Sequence, residues 1–272
     1  MEFGFTSEQE MLRKSFAEFL NKECPADLVR EMIEDEIGFS PSLWKKMAEL
    51  EWLGLTYDDR YGGMESSFLD LFILFEQIGK VLLPSPLFTS AVMSGLLIND
   101  AGDDNLKDSL LPRIIQGKKI LTLALLDEQG RLDADEATIE AVQSQGNQFL
   151  VNGTRLLVPY AHVANKMLVV ARTGTPDHPE RGITLFIVDL KNEGVTTEVI
   201  PTAAMDGRCE VVLNNVRVEK SDILGELDKG WEIVDYIQQC GAVLKAAEMS
   251  GGAQAAFNLT LDYAKERKQF DK

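Results

Sequence analysis

Apolar residues recur at helical spacing from the N-terminus to Ile115, then switch to short runs of strand-like period after Lys118. Ser7-Glu8-Gln9-Glu10 has the spacing of a capping box, and Met11, Leu12, Phe16, Phe19 and Leu20 follow on one face. Ser40-Pro41 reads as an N-cap with a first-turn proline, opening a helix that carries Leu43, Trp44, Met47 and Leu50. Tyr61-Gly62-Gly63 breaks the pattern. A strongly apolar helix is expected from about Ser67, through Leu69, Phe72, Ile73, Phe75 and Ile78. Its apolar residues spread beyond one stripe, so it should be buried between other helices. Pro84 and Pro86 punctuate the chain. Two further helices are predicted, about Phe88 to Asp100 and Leu106 to Ile115, the second ended by Gly117.

Ile120 to Leu126 then reads as a buried strand, followed by Ala137 to Val142. Phe149 to Val151 and Thr154 to Val158 flank Asn152-Gly153, a dipeptide that predicts a hairpin. Met167 to Ala171, Ile183 to Val188, Val195 to Ile200 and Glu210 to Val218 complete seven or eight short strands, a sandwich or barrel count. Helical pattern returns at about Gly230 with no later breaker. Its middle is small on several sides (Ala246, Ala247, Gly251, Gly252, Ala253, Ala255, Ala256). Adjacent glycines each cost roughly 1 kcal/mol of propensity, so a close-packing reason is expected. The expected fold class is α+β: an N-terminal helical domain (1–117), a small β-sandwich or barrel domain (118–220), and the first long helix of an incomplete C-terminal helical bundle (221–272).

Composition narrows the function. A length of 272 residues suggests about two domains, and 45% hydrophobic content can fill a sizeable core. The formal charge of −17 leaves no basic face for a phosphate backbone, so nucleic acid is not an expected partner. A small anionic cofactor stays compatible, because helix N-termini act locally. No run approaches the roughly 18 apolar residues of a membrane span, and Met1-Glu2-Phe3-Gly4 lacks a signal-peptide pattern. A soluble cytoplasmic protein is expected. Cys24, Cys209 and Cys240 fit neither a disulfide framework nor a zinc site and read as reduced, mostly buried thiols.

Specific residues carry a family resemblance. Phe5-Thr6-Ser7-Glu8-Gln9-Glu10-Met11-Leu12, Leu53-Gly54-Leu55 with Tyr61-Gly62-Gly63, and Leu111-Pro112 with Gly117 resemble the N-terminal part of acyl-CoA dehydrogenases. Val216-Arg217-Val218, Ile223-Leu224-Gly225 and Gly230-Trp231 resemble the exit from their β domain. Tyr263-Ala264 with Glu266-Arg267-Lys268-Gln269-Phe270 is similar to the end of their flavin-contacting helix. The resemblance implies FAD-dependent α,β-dehydrogenation of an acyl-CoA thioester, in fatty acid or acyl-CoA metabolism. A carboxylate would remove the α-proton while the β-hydrogen leaves as hydride. It also implies an electron-transfer flavoprotein or similar acceptor, and a homo-oligomer or a homologous partner subunit.

The resemblance places Arg267, Gln269 and Phe270 on the FAD of a neighbouring subunit, where an arginine fork suits a pyrophosphate. The bland alternative is a solvated, basic helix end. Leu126 and Asp127, in Leu125-Leu126-Asp127-Glu128-Gln129-Gly130-Arg131, occupy the first flavin element without its hydroxyls. Leu157-Val158-Pro159 occupies the second, with leucine for the family's tryptophan and proline for its threonine; proline also removes an N–H donor. A weak flavin grip is expected. Gly241 and Ala242 stand where some members carry the catalytic glutamate and its arginine neighbour; other members place the base beyond the equivalent of Lys272. Glu248 reads as an ordinary helical glutamate. His162 and His178 read as loop residues without a Ser or Cys partner. No catalytic residue and no metal ligand is assigned. Three functions follow: a dehydrogenase whose base lies past Lys272, a non-catalytic partner subunit, or an acyl-CoA-binding scaffold without redox activity.

Overall fold

The computed structural model describes residues 4–126, 133–134, 139–144, 146–174, 177–204 and 206–269. They form two compact units, one from residues 1–31, 66–83 and 240–272, the other from residues 32–65 and 84–239.

The first unit is helical. α1 (Ser7–Glu23) is capped by Thr6, whose hydroxyl takes the Gln9 N–H while the Gln9 side chain takes the Thr6 N–H. The capping box therefore begins one residue before the expected Ser7. α4 (Phe68–Val81) is capped in the same reciprocal way by Ser67 and Asp70, and Ile73, Leu74 and Phe75 are buried, as its all-round apolarity predicts. The long helix α7 (Trp231–Glu266, 36 residues) contributes Cys240 onward to this unit. α4 and α7 cross backbone to backbone. A Cβ on Gly79 would lie 1.9 Å from the Glu248 carbonyl oxygen, and one on Gly251 would lie 1.9 Å from that of Glu76. Gly251 thus has its packing reason, whereas a Cβ at Gly252 would make only an ordinary contact, 3.4 Å from the Gly79 carbonyl oxygen.

The second unit begins with the end of α2 (Ala26–Glu34) and with α3 (Pro41–Glu49), which Ser40 caps with Pro41 at its start. Trp44 Nε1 donates to the Gly117 carbonyl, fixing the left-handed end of α6 (Asp104–Ile115). The expected helix from Phe88 is split. Phe88–Ser94 is π-helical and α5 (Gly95–Ala101) continues it. Two side chains use carbonyls of that π turn: Tyr57 donates to Ala91, and Ser94 Oγ donates to Thr89 at 2.8 Å. Gly95 is required there, because a Cβ would run into the Tyr57 hydroxyl.

Among the described residues eight strands join one sheet: β1 (Leu121–Ala124), β2 (Glu140–Gln143), β3 (Gln148–Pro159), β4 (Lys166–Arg172), β5 (Ile183–Asp189), β6 (Val195–Val199), β7 (Arg208–Glu219) and β8 (Ile223–Leu224). The order is β6-β7-β3-β2-β4-β5-β8, with β1 parallel to β4. The sheet curls on itself, since Phe149 of β3 meets Phe186 of β5 at 5.2 Å across two intervening strands. Asn152-Gly153 is not a hairpin. It lies inside β3, opposite a bulge of β7 at Asn215, whose N–H donates to Asn152 Oδ1 at 2.7 Å. The bulge absorbs the irregularity that a turn would otherwise have expressed.

Candidate cofactor-facing site

The candidate residues fall in different units, and each group stands on its own elements. Leu126 is half-buried two residues past β1; Asp127 and Phe270 lie outside the described residues.

Leu157-Val158-Pro159 ends β3 at a second bulge. Between the pairs Arg155–Val211 and Val158–Cys209, two residues of β3 face one of β7, and Leu157 takes the left-handed conformation, φ 55°. A bulge re-aims the side chain it carries. Val158 is buried, while Leu157 and Pro159 are half-buried. The segment is pinned through its carbonyls. Arg208 Nη1 donates to the Leu157 carbonyl at 3.2 Å, and Asp206 holds the guanidinium through Nε at 2.7 Å. Thr122 Oγ1 donates to the Pro159 carbonyl at 2.6 Å and takes the Thr89 hydroxyl at 3.0 Å. The Tyr160 N–H goes to Gly207 at 2.8 Å. Both carbonyls are therefore occupied, Pro159 has no N–H, and neither Leu157 nor Pro159 bears a side-chain donor. The segment is an apolar ledge. Its side chains do not fit the polar edge of a flavin, which needs hydrogen-bond donors.

Thr122 and Arg208 were not legible as site residues, because the signal is a contact across the sheet, not a motif. The same is true of His162. Contrary to the expectation of no thiol partner, Cys209 Sγ lies 3.4 Å from its Nδ1. Nε2 faces the Ile37 carbonyl at 3.2 Å, so Nε2 carries the proton and Nδ1 accepts from the thiol. Burial pushes the Cys209 thiol up, with the backbone N–H groups of His162 and Ala161 opposing. A buried, neutral thiol is a packing group here, not a nucleophile.

On the helical unit, Gly241 is buried and Ala242 exposed, and neither can accept a proton. Glu248 is tied to Lys245 at 2.6 Å as an ordinary i,i+3 pair. Arg267 and Gln269 are exposed, and the Arg267 guanidinium lies over the Tyr263 ring, 5.2 Å from its centroid.

Residues 6–118 match the family model "Acyl-CoA dehydrogenase, N-terminal domain", and residues 122–216 match "Acyl-CoA dehydrogenase, middle domain". A 3-(aryl)acrylate reductase of Clostridium sporogenes is 30% identical over 273 residues, covering 98% of this chain and 71% of the relative. The chain belongs to the acyl-CoA dehydrogenase family. A caffeyl-CoA reductase–Etf complex subunit of Acetobacterium woodii is likewise 30% identical, over 98% of this chain and 71% of its own length. In fold, the family likeness extends to the ChsE4–ChsE5 complex from Mycobacterium tuberculosis. That match has a TM-score of 0.88 at 24% identity and covers 100% of this chain and 70% of that one. Among the described residues of this family member, no helix is long and apolar enough to cross a membrane.

Proposed function

We propose that the chain serves an acyl-CoA α,β-oxidoreductase as a subunit whose flavin and general base come from a homologous partner. Family membership supports the acyl-CoA thioester as substrate and the CH–CH bond as the one oxidised or, as the names of two relatives suggest, reduced. The observation that carries the partner role is the end of β3, where the carbonyls are pinned, Pro159 has no N–H, and the side chains of Leu157, Val158 and Pro159 offer no donor. Gly241 at the early base position points the same way. Arg267 at the exposed end of α7 is available to a neighbouring subunit's cofactor. The likeness to an Etf-complex subunit supports an electron-transfer flavoprotein or a similar carrier as redox partner.

A second reading keeps flavin and base on one polypeptide, with the base beyond residue 272 and FAD held by backbone donors. Exposed Arg267 and Gln269 favour it. A dye-reduction assay separates the two, using FAD and straight, branched and cyclic acyl-CoAs, with the chain alone and then mixed with a homologous flavoprotein subunit. General-base assistance is worth about 10²–10⁴-fold. Alone, the chain is expected to stay far below roughly 1 s⁻¹ and to add turnover only in the mixture. Turnover near that rate by the chain alone would overturn the partner role.

A further inference from the structure

A groove of about 650 Å³ opens in the second unit between the end of α2 and the turn that joins β6 to β7. We propose that it docks a partner protein through a segment carrying an arginine or lysine among aliphatic residues. This inference does not depend on where the flavin is held.

The groove has two kinds of wall. Met32 and Ile33 from α2 face Val199, Ile200 and Pro201 after β6, giving an apolar channel. Asp35, Glu36 and Asp206 also line it. Arg208 is held by Asp206 at 2.7 Å and by the Leu157 carbonyl, and among the described residues Asp35 and Glu36 have no ion pair. Asp35 is fixed in place, its Oδ1 taking the Ile37 N–H at 2.7 Å. A long basic side chain matches this arrangement: its stem lies on aliphatic surface while its head meets carboxylates. An anionic ligand is repelled. The floor is rigid, because both ring nitrogens of His162 are engaged and its ring stacks on Tyr160. A side chain at Gly207 would press to 3.2 Å from His162 Cε1, so glycine keeps the floor open.

The rim argues for a macromolecule and not a small cation. Ile33 is 43% exposed, Val199 50%, and Ile37, which lies outside the channel, 40%. A molecule that fills the channel leaves Ile37 wet, whereas a protein surface covers all three. The chain's charge of −17 would also speed approach of a basic partner.

The test is calorimetric titration of the full chain with a capped Leu-Arg-Ile-Arg-Leu peptide, its glutamine-for-arginine version, and n-butylguanidinium. The variants are D35N/E36Q and V199T. Asn at 35 keeps an acceptor for the Ile37 N–H, and an unchanged unfolding midpoint checks that the fold is retained. The arginine peptide should bind in the micromolar range and weaken at least tenfold in D35N/E36Q and severalfold in V199T. The glutamine peptide should bind at least tenfold more weakly to the unaltered chain. No binding of the arginine peptide at millimolar concentration, or equal binding by the variants, would overturn the proposal. So would butylguanidinium binding as tightly as the peptide, which would mark a small-molecule cavity. Self-association abolished by D35N/E36Q would also overturn it, by naming a second copy as the occupant.

Discussion

The crossing of α4 with α7 and the end of β3 are both tightly held, but by opposite means. At the crossing, the backbones touch, and Gly79 and Gly251 are there because any Cβ would enter a carbonyl oxygen. At the end of β3, the strand is held by Thr122 and Arg208 acting on carbonyls, while the side chains of Leu157 and Pro159 take no part. The first arrangement dictates residue type by exclusion. The second holds the backbone through its carbonyls and places no hydrogen-bonding demand on the half-buried side chains of Leu157 and Pro159.

Breaking the crossing should have the largest effect. Gly79→Ala or Gly251→Ala forces the helices apart and should cost about 3 kcal/mol, read as a lowered midpoint in urea. A loss under about 0.5 kcal/mol would show that the two backbones are not in contact. Removing the pins should cost less. Thr122→Val leaves the Pro159 carbonyl without its donor in a buried setting, about 2 kcal/mol. It should also speed amide exchange at Tyr160 and Ala161 while leaving α4 unchanged. Equal exchange in both regions would erase the distinction between them.

Much of the helical architecture was legible because local chemistry and tertiary role agree. Ser67, Ser40 with Pro41, and Gly117 all sit where their side chains or lack of one are used. The cap of α1 lies at Thr6, one hydroxyl residue before Ser7, since both offer a similar local signal. Asn152-Gly153 misled for a physical reason: the β7 bulge at Asn215 lets a turn-forming pair lie within one strand. The π turn at Phe88–Ser94 depends on donors from elsewhere in the chain, notably Tyr57, and left no periodic trace. The candidate site was half legible. The absence of side-chain donors at Leu157 and Pro159 is written in the residues, but the roles of Thr122, Arg208 and Cys209 exist only once the sheet closes.

The smallest effect is one of pH. Burial pushes the Cys24 thiol, on the helical unit, from its ordinary 9.0 up to about 11. The folded chain then holds this proton more tightly than the unfolded chain. The stability it contributes is complete below pH 9 and is lost as pH rises from 9 toward about 11. Cys24→Ala should flatten the fall of stability across that window relative to the parent chain, measured by urea unfolding at stepped pH. Parallel curves would contradict the assignment.

We infer that the end of β3 keeps its backbone but grips a flavin only weakly. Titrating FAD into the parent chain and into L157W/P159T, followed by quenching of flavin fluorescence, tests it directly. An added aromatic contact and one added hydrogen bond together amount to about 2 kcal/mol, or roughly a thirtyfold change in Kd. The account predicts weak binding by the parent chain and at least tenfold tighter binding by the double variant, with the unfolding midpoint unchanged. Tight, stoichiometric FAD on the parent chain, with no gain in the variant, would contradict it.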